Sequence, residues 1–349
     1  DLKDVSEAEM ENQISSIVLR KRVAETAIAI TSYSNAEANA IQSKGVSLNA
    51  LFHGVRWINN ISEKLVPISS VVKVKRGERR GCDELFYPVT GHGIEGEYIK
   101  SVLRSSANLS GYSATADADA FCCDKSIDEL RSAGHQGALN WITKFENLKN
   151  GVGKPWPEVL KHAGRHWYEM KNESRVDFVT SLNPNKRLFV AVFEEPTFVN
   201  QRLIGLCLAN DEKKESIHAL LNSILEMFVI EATGFGRGMG ALDLSVDNFR
   251  KTYMLNPELI DEDNEKEILC LFDKINNRDV LDTEDEIAAD DRIAFDSAVF
   301  RAFGIEDYHE RIIESLLSMQ RTRLSVVLRW EDGKKAVEKR IGTSSMMKA

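Results

Sequence analysis

The chain has 349 residues, of which 43% are hydrophobic and 28% are charged, and a chain of this size can bury the cores of two or three folding units. It has no apolar run near the ~18 to 20 residues of a membrane-spanning helix, and its first residues form neither a basic leader nor an apolar signal core. The five cysteines include no C-x-x-C pair and are too few for a disulfide framework. These features predict a cytoplasmic protein with reduced thiols and no membrane partner, and Asp1 in place of an initiator Met suggests a segment of a longer protein.

The net charge of −9 argues, as a total, against a polyanionic partner. However, residues 258–291 hold 14 Asp or Glu against three Lys or Arg, a net charge of −11 that leaves +2 for the rest of the chain. Basic residues cluster elsewhere within eight positions, beside the single acid Glu78. They are Lys73, Lys75, Arg76, Arg79 and Arg80. Such a cluster fits either a phosphate-binding patch or a solvated charged face.

The N-terminal part of the chain is predicted to be helical and then to change to strand. Residues 1–65 lack proline and repeat apolar residues at helical spacing, which indicates a connecting helical arm. From Ser70 the period becomes that of a strand, in which Val72 and Val74 alternate with lysines. Short helices are expected next, at residues 95–104, 126–131 and 137–148.

Three strands then follow in close succession, at residues 176–182, 187–193 and 203–209, and the short breaks between them favour antiparallel pairing. A helix is predicted over residues 213–232, followed by a glycine cluster and a short strand at 241–244. After Pro257 the chain is predicted to be acidic and helical to about residue 329. The sequence therefore predicts an α+β fold in three parts: a helical N-terminal arm (1–65), a mixed α/β domain with a largely antiparallel sheet (66–257), and an acidic, then amphipathic, helical C-terminal segment (258–349).

Two glycine-rich segments are candidate nucleotide sites. Residues 91–96 fit G-x-G-x-x-G, but the helix that follows is too short for a β-α-β unit, so a turn is favoured. Residues 234–240 carry alternating glycines, yet they follow a helix and precede a strand, the reverse of a nucleotide loop. Arg237 stands at the centre of this loop and is predicted to enter a groove or to hold a phosphate; the alternative is a glycine-rich helix stop.

Residues 165–171 mix cations with flat rings, a combination that suits phosphate contact and packing on bases or sugars. Trp167, Tyr168 and Lys171 are the candidates here, and a helix that packs Trp167 into the core is the alternative. His162 and His166 share a spacing of four, but no third ligand is evident, so no metal site is predicted. The chain has no Pro-Pro for gripping an extruded adenine and no G-x-x-x-x-G-K-[ST], so no catalytic core is predicted either.

The order of several motifs resembles that of a known family. Residues 72–87 combine the basic strand with a Gly-x-x-x-Gly turn (Gly77 to Gly81) and Asp-x-x-Phe (Asp83 to Phe86). Later motifs are Tyr98 to Leu103, Trp167-Tyr168-Glu169, Leu220-Leu221-Asn222-Ser223, the glycine loop with Arg237, Gly240-Ala241-Leu242-Asp243-Leu244, and Pro257. Over residues 65–328 this order resembles the target-recognition region of gamma-class adenine-N6 DNA methyltransferases, especially those of single-chain type IIG restriction-modification enzymes.

The resemblance implies that residues 66–257 are a DNA target-recognition domain and that residues 1–65 link it to an N-terminal catalytic domain. S-adenosylmethionine and methyl transfer would belong to that domain, because their motifs are absent here, and no cofactor is expected in this chain. Double-stranded DNA and the methyltransferase catalytic domain or subunit are the implied partners. The candidate DNA contacts are Lys75, Arg76, Arg79, Arg80, Trp167, Tyr168, Lys171 and Arg237.

Two other functions fit parts of the sequence. A protein-interaction scaffold would bind a partner through the helical ends and the acidic segment, without DNA contact. A small-molecule enzyme would bind a nucleotide at residues 91–96. A further hypothesis is that the acidic residues 258–291 mimic DNA or shield the basic surface.

Overall fold

The computed structural model describes five stretches of the chain, which are residues 32–78, 81–170, 174–208, 212–237 and 240–325. These residues fold as α+β, as the sequence predicts. Arg79, Arg80 and Lys171, three of the candidate DNA contacts, lie outside the described residues, as do residues 1–31 of the predicted N-terminal arm. Among the residues that are described, no helix has the length and apolar character needed to cross a bilayer.

Strands of the described residues build one seven-stranded sheet and two short pairs. They are β1 (Leu65–Pro67), β2 (Val72–Arg76), β3 (Ile99–Leu103), β4 (Ser113–Ala114), β5 (Ala118–Phe121), β6 (Val176–Ser181), β7 (Ala191–Val199), β8 (Leu203–Leu208), β9 (Phe235–Gly236), β10 (Leu242–Asp243) and β11 (Tyr253–Leu255). The large sheet has the order β2-β8-β6-β7-β3-β5, with β4 also paired to β7. The two short pairs are β1 with β11 and β9 with β10.

The large sheet is mostly antiparallel, which confirms the prediction. β2, β8, β6 and β7 pair antiparallel in that order, and β3 pairs antiparallel with β5. β3 and β4 instead run parallel to β7, with Val102 beside Phe198 in the β3–β7 register. The result is a basic strand, β2, at one edge of the sheet and β5 at the other.

Helices surround this sheet. They are α1 (Asn35–Gln42), α2 (Trp57–Asn60), α3 (Ile68–Val71), α4 (Asp83–Phe86), α5 (Ile127–Ala133), α6 (Gln136–Glu146), α7 (Trp156–Val159), α8 (Lys214–Leu220), α9 (Ile224–Thr233), α10 (Val246–Phe249), α11 (Glu262–Asn276), α12 (Thr283–Ala288), α13 (Asp290–Phe303) and α14 (309–325). The described part of the N-terminal arm is helical in short pieces and not as one rod, since left-handed Gly45 and Gly54 interrupt it.

Two hydrophobic clusters stabilise the fold. The large cluster runs from Ile41 in α1 to Met319 in α14 and combines the side chains of β2, β6, β7 and β8 with those of α8, α9, α11 and α13. The small cluster contains residues between 82 and 170 together with Phe198 of β7. The division at residues 65 and 257 stays a prediction, and the large cluster takes side chains from all three predicted parts.

Two predicted helices differ from the structure. Residues 95–104, expected to be helical, form a 3-10 turn and then β3, because Val102 and Leu103 are buried where β3 pairs with β7. The predicted helix 213–232 is broken between α8 and α9 by Asn222, whose side chain bonds both polar groups of the Val190 backbone at 2.9 and 2.8 Å. Ser223 then caps α9. Tertiary hydrogen bonds therefore outweigh the local helical pattern at this point.

The C-terminal helices are joined to the sheet by a buried charge network, which consists of Tyr112, Arg278, Glu286, Asp291, Arg292 and Asp296. The Glu286 carboxylate accepts from Arg292 at 2.9 Å and from Arg278 at 2.9 Å, with Glu286 and Arg292 fully buried. Burial alone would raise the pKa of Glu286, but the hydrogen bonds from Arg278 and the charge of Arg292 outweigh it and lower that pKa. At least two acids of the segment 258–291 thus stabilise the fold.

Candidate nucleic-acid interface

An arginine-lined cleft opens where β2 and β8 meet the glycine loop 234–240. It has a volume of about 780 Å³. Its charged and amide-bearing lining side chains are Arg76, Asn183, Gln201, Arg202, Arg237, Asp243, Asp247 and Arg250. Four arginines from four separate segments therefore meet at one opening, and we call this surface the arginine cleft.

The end of β2 and the β7–β8 turn bring Arg76 and Arg202 together. Gly77 donates its N–H to the Leu203 carbonyl at 3.0 Å, and a Cβ at Gly77 would lie 2.0 Å from the carbonyl oxygen of Asn200. Glycine is thus required at this position, because the two backbones touch. The Nε of Arg76 donates to the carbonyl of Gln201 at 3.1 Å, which orients Arg76 along the turn.

The Gly-x-x-x-Gly turn has a structural explanation at its second glycine too. Gly81 adopts a φ of 80°, in the left-handed region that side chains other than glycine rarely occupy. Asp83 then begins α4, and Phe86 at its end is buried in the small cluster. The turn thus directs the chain from the basic edge strand into the small cluster.

Arg250 enters the cleft from α10. Its Nη2 donates to the carbonyl of Val74 at 3.1 Å, so it covers part of the free edge of β2. Its Nη1 lies 3.1 Å from Asp247 Oδ1, but both side chains of this pair are about half exposed or more, at 48% and 80%. An ion pair this exposed contributes only about 0 to 1 kcal/mol, so another anion can replace Asp247 at little cost.

Arg237 enters the cleft from the glycine loop. Its backbone N–H donates to the Ala241 carbonyl at 2.7 Å, and its Nη2 forms an ion pair with Oδ2 of Asp243 on β10. The Nδ2 of Asn183 donates to the other oxygen of Asp243 at 3.0 Å. The Arg237 guanidinium also lies over the ring of Phe235, 5.6 Å from its centroid.

The glycine loop is fixed from behind by Arg323 of α14. This buried guanidinium pairs with both oxygens of Glu231 at 2.7 and 2.8 Å and donates to the carbonyls of Gly240 and Asn185. A Cβ at Gly236 would lie 3.3 Å from Arg323 Cγ, so the loop packs directly on this side chain. The described parts of the loop, residues 234–237 and Gly240, therefore contact a charge pair in the protein interior.

Among its lining residues the cleft carries four arginines against two aspartates. Arginine is charged at all physiological pH values and presents a planar fork of donors that suits phosphate and base-edge acceptors. The cleft is thus a positive surface in a chain whose net charge is −9. This arrangement can bind a polyanion, and it brings together Arg76 and Arg237 from the predicted contacts.

The other candidates lie elsewhere. Lys73 and Lys75 alternate with the buried Val72 and Val74 and line a separate depression with Arg175 and Asp177. Lys75 is half-buried beside Cys207, a thiol whose pKa burial raises. The basic strand therefore presents Lys73 and Lys75 to one surface and Arg76 to the arginine cleft, and a DNA role for Lys75 stays a prediction.

Trp167 and Tyr168 belong to the small cluster. Tyr168 is 2% exposed, its hydroxyl donates to the carbonyl of Lys125 at 2.9 Å, and His166 stacks on its ring. This burial leaves the Tyr168 ring no free face for a base. Trp167 is half-buried and packs edge-on against Tyr168, but it lies in a turn and not in the core-packing helix of the alternative.

The G-x-G-x-x-G segment forms a turn in the structure. Gly91 and Gly93 have φ values of 90° and 70°, and the carboxylate of Glu95 accepts from the backbone N–H groups of Gly137 and Ala138 at 2.7 and 2.8 Å. Glu95 thus caps the start of α6. The segment itself leads into a 3-10 turn and β3, and not into the helix whose first N–H groups a nucleotide phosphate would need.

Arg202 and Arg250 carry no clear signal in the sequence. Arg202 has no cation beside it and Arg250 has only Lys251, and their proximity to Arg76 arises from pairing between distant segments. In the sequence Asn183 belongs to a strand break, and Asp243 belongs to the predicted strand 241–244 and to the motif Gly240 to Leu244. The one available signal was that all four positions adjoin strand ends, where binding residues are frequent.

No family model matches this chain, and no curated protein matches it. Among solved structures, it is similar to the type IIG restriction endonuclease BpuSI, with a TM-score of 0.47 and 12% identity over 80% of this chain and 34% of that one. It is also similar to the type IIL restriction-modification enzyme MmeI, solved in complex with DNA, with a TM-score of 0.43 and 12% identity over 74% of this chain and 36% of that one. The chain thus spans about a third of the length of these two proteins. Both similarities are distant, and neither specifies a base, a substrate or a reaction.

Proposed function

We propose that this chain binds double-stranded DNA in a sequence-specific way, with the arginine cleft as its contact surface. It would act as the target-recognition part of an adenine-specific DNA methyltransferase or restriction-modification protein. The arginine cleft is the observation that carries the proposal, and the motif order found in the sequence supports it.

The cleft has the properties that a DNA-binding surface needs. Arg76, Arg202 and Arg250 project from different backbone segments, so together they match charges spread along a phosphate backbone better than a single point charge. The partners of the Arg76 and Arg250 side chains are backbone carbonyls and one exposed carboxylate, which a phosphate can replace. Phosphate contacts position a protein on the duplex, and contacts to base edges provide specificity.

The proposal includes a division of labour. S-adenosylmethionine and the extruded adenine would be bound by a separate catalytic domain or subunit, since the motifs for both are missing here. This chain would hold the duplex in register while that partner acts on the flipped base. Its role is binding, and no chemical step is assigned to its residues.

The test is a salt titration of binding between the purified full chain and random duplex DNA. The cleft variant is Arg202→Ala with Arg250→Ala. The matched control is Arg131→Ala with Arg301→Ala, which removes two exposed arginines outside the cleft lining. Log affinity should fall linearly with log salt, and the cleft variant should lose affinity and show a slope shallower by about two, about one per phosphate contact.

The control variant should keep a slope close to that of the unmodified chain. Absence of binding even at low salt contradicts the proposal. Equal loss in the cleft and control variants also contradicts it, because only general charge would then matter.

A further inference from the structure

We propose that Arg237 is the side chain that selects a guanine in the DNA target and that Asp243 is the positioning residue that aims it. The inference rests on the proposed DNA binding and adds the base recognised and the pair of residues responsible. It depends on how differently Arg237 is held from the other arginines of the cleft.

Arg237 has a partner of a different kind from the rest. Asp243, the acid to which it pairs, has a side chain only 12% exposed, whereas Asp247, the partner of Arg250, is 80% exposed. The Arg237 side chain itself remains 61% exposed in the cleft. A guanidinium anchored to a buried carboxylate, yet open to solvent on its other side, has a fixed direction and free donors.

Asp243 is itself fixed on both sides. Its Oδ1 accepts from Asn183 and its Oδ2 accepts from Arg237, so each carboxylate oxygen already has a protein partner. The strand that carries it is anchored as well, because Leu242 and Leu244 donate backbone N–H groups to Pro184 and Leu182. Asp243 therefore orients Arg237 and is not itself the group that contacts a base.

The described residues of the glycine loop, 234–237 and Gly240, are anchored to the interior. Arg323 bridges Glu231 at the end of α9 to the Gly240 carbonyl, and β9 pairs with β10 with Asp243 opposite Phe235. A binding group held in this way loses little conformational entropy when it meets its ligand. Rigid placement favours recognition of a base edge, which depends on direction, over phosphate binding, which tolerates movement.

The hydrogen-bonding inventory indicates guanine. A guanidinium has five N–H donors and no acceptor, and the pairing with Asp243 leaves donors for a second partner. Guanine is the base that presents two acceptors, O6 and N7, side by side in the major groove. Because Asp243 already offsets much of the charge of Arg237, Arg237 contributes little to the attraction of phosphates. Its main contribution is the direction of its hydrogen bonds to a base.

The test is selection of bound sequences from a randomised duplex library by the full chain. Arg237→Lys keeps the charge and removes the fork, and Arg202→Lys is the matched control in the same cleft. We expect the unmodified chain and the Arg202→Lys variant to select the same sequence. Arg237→Lys should lose preference for guanine at one position, by roughly 5- to 150-fold, and keep the other positions.

Asp243→Asn gives a readout that a merely structural role would not produce. Removal of its negative charge should raise affinity for random DNA and steepen the salt dependence, while preference for the same guanine falls. Because Arg237 is exposed, the Arg237→Lys variant keeps its fold and remains informative if Asp243→Asn does not.

The outcomes separate this inference from the proposed function. If the unmodified chain binds no DNA, the proposed function fails, and this inference fails with it. If it binds DNA without sequence preference, DNA binding stands, but both the sequence specificity in the proposed function and the assignment of Arg237 are overturned. If the unmodified chain selects a sequence and Arg237→Lys selects the same one, only the assignment of Arg237 is overturned.

Discussion

The buried charge network and the arginine cleft both contain arginines, but these are paired with acids inside the protein in the network and exposed to solvent in the cleft. In the network, Arg278 and Arg292 are surrounded by Glu286, Asp291 and Asp296, and their donors are consumed inside the protein. In the cleft, arginines outnumber acids and remain open to solvent. Arginine content by itself therefore predicts neither stability nor binding. The number of buried carboxylates near an arginine determines whether it stabilises the fold or stays available to a ligand.

The largest expected effect is the loss of the shared acid of the network. Glu286→Gln removes the carboxylate that two guanidiniums share, one of them fully buried, and leaves them only Asp291 and Asp296 as counter-charges. We expect the free energy of unfolding to fall by about 3 to 5 kcal/mol, the cost of breaking a buried pair on one side. Urea denaturation measures it.

Glu267→Gln is the matched control for this experiment, because it removes an acid paired with Arg301 when both are about half exposed. Its loss should cost less than about 1 kcal/mol. Similar losses for the two variants would show that burial does not separate the two kinds of pair.

A middle-sized effect is expected at Glu226, a buried acid whose Oε1 has no hydrogen-bond partner. Burial raises its pKa from 4.5 to about 8. Between these values the unfolded chain has released a proton that the folded protein keeps, so the free energy of unfolding decreases as pH rises, by up to about 1.4 kcal/mol per pH unit.

Glu226→Gln removes this titration and should be about 1 to 3 kcal/mol more stable than the unmodified chain near neutral pH. The two proteins should converge near pH 4.5, the lower end of that window. Asp296, whose pKa burial raises to about 6, keeps a shallower slope of the same sign in both. The measurement is urea denaturation at several pH values in this range. If the free energy of unfolding depends on pH in the same way for both proteins, the raised pKa of Glu226 is wrong.

The smallest effect on stability is expected in the cleft. Arg250→Met keeps the volume of the side chain and removes a half-exposed ion pair and one hydrogen bond to β2. The free energy of unfolding should change by no more than about 1 kcal/mol, while affinity for DNA falls. A loss of stability as large as that of Glu286→Gln would place Arg250 with the structural arginines and weaken the proposed interface.

Sequence patterns identified the sheet better than they identified the site. The three strands predicted between residues 176 and 209 and their antiparallel pairing are visible in the sequence, because apolar runs and turn residues are local signals. The bounds of the second are wrong, since the prediction was 187–193 and β7 is Ala191–Val199. The residues of strand β3 were predicted to be helical, and this prediction was wrong. The pairing of β3 with β7 joins residues about a hundred positions apart and is not visible in the local sequence. Non-local pairing leaves no periodicity within the strand itself.

The arginine cleft shows the same limit at the level of the site. Arg237 was found because glycines surround it, and Arg76 because other cations precede it. Arg202 and Arg250 have neither signal, and Tyr168, chosen for the company of cations, is buried by a fold that its local sequence does not reveal. Local composition finds residues suited to a contact, whereas the backbone pairing decides which of them meet.

The parallel pairing of β3 with β7 has a consequence for the order of folding. The small cluster is built from residues 82–170, but its core also includes Phe198 from β7. During synthesis from the N-terminus, residues 82–170 are therefore complete before Phe198, which belongs to the same core, has been made. The small cluster therefore keeps part of its apolar surface exposed until β7 has left the ribosome and has paired with β3.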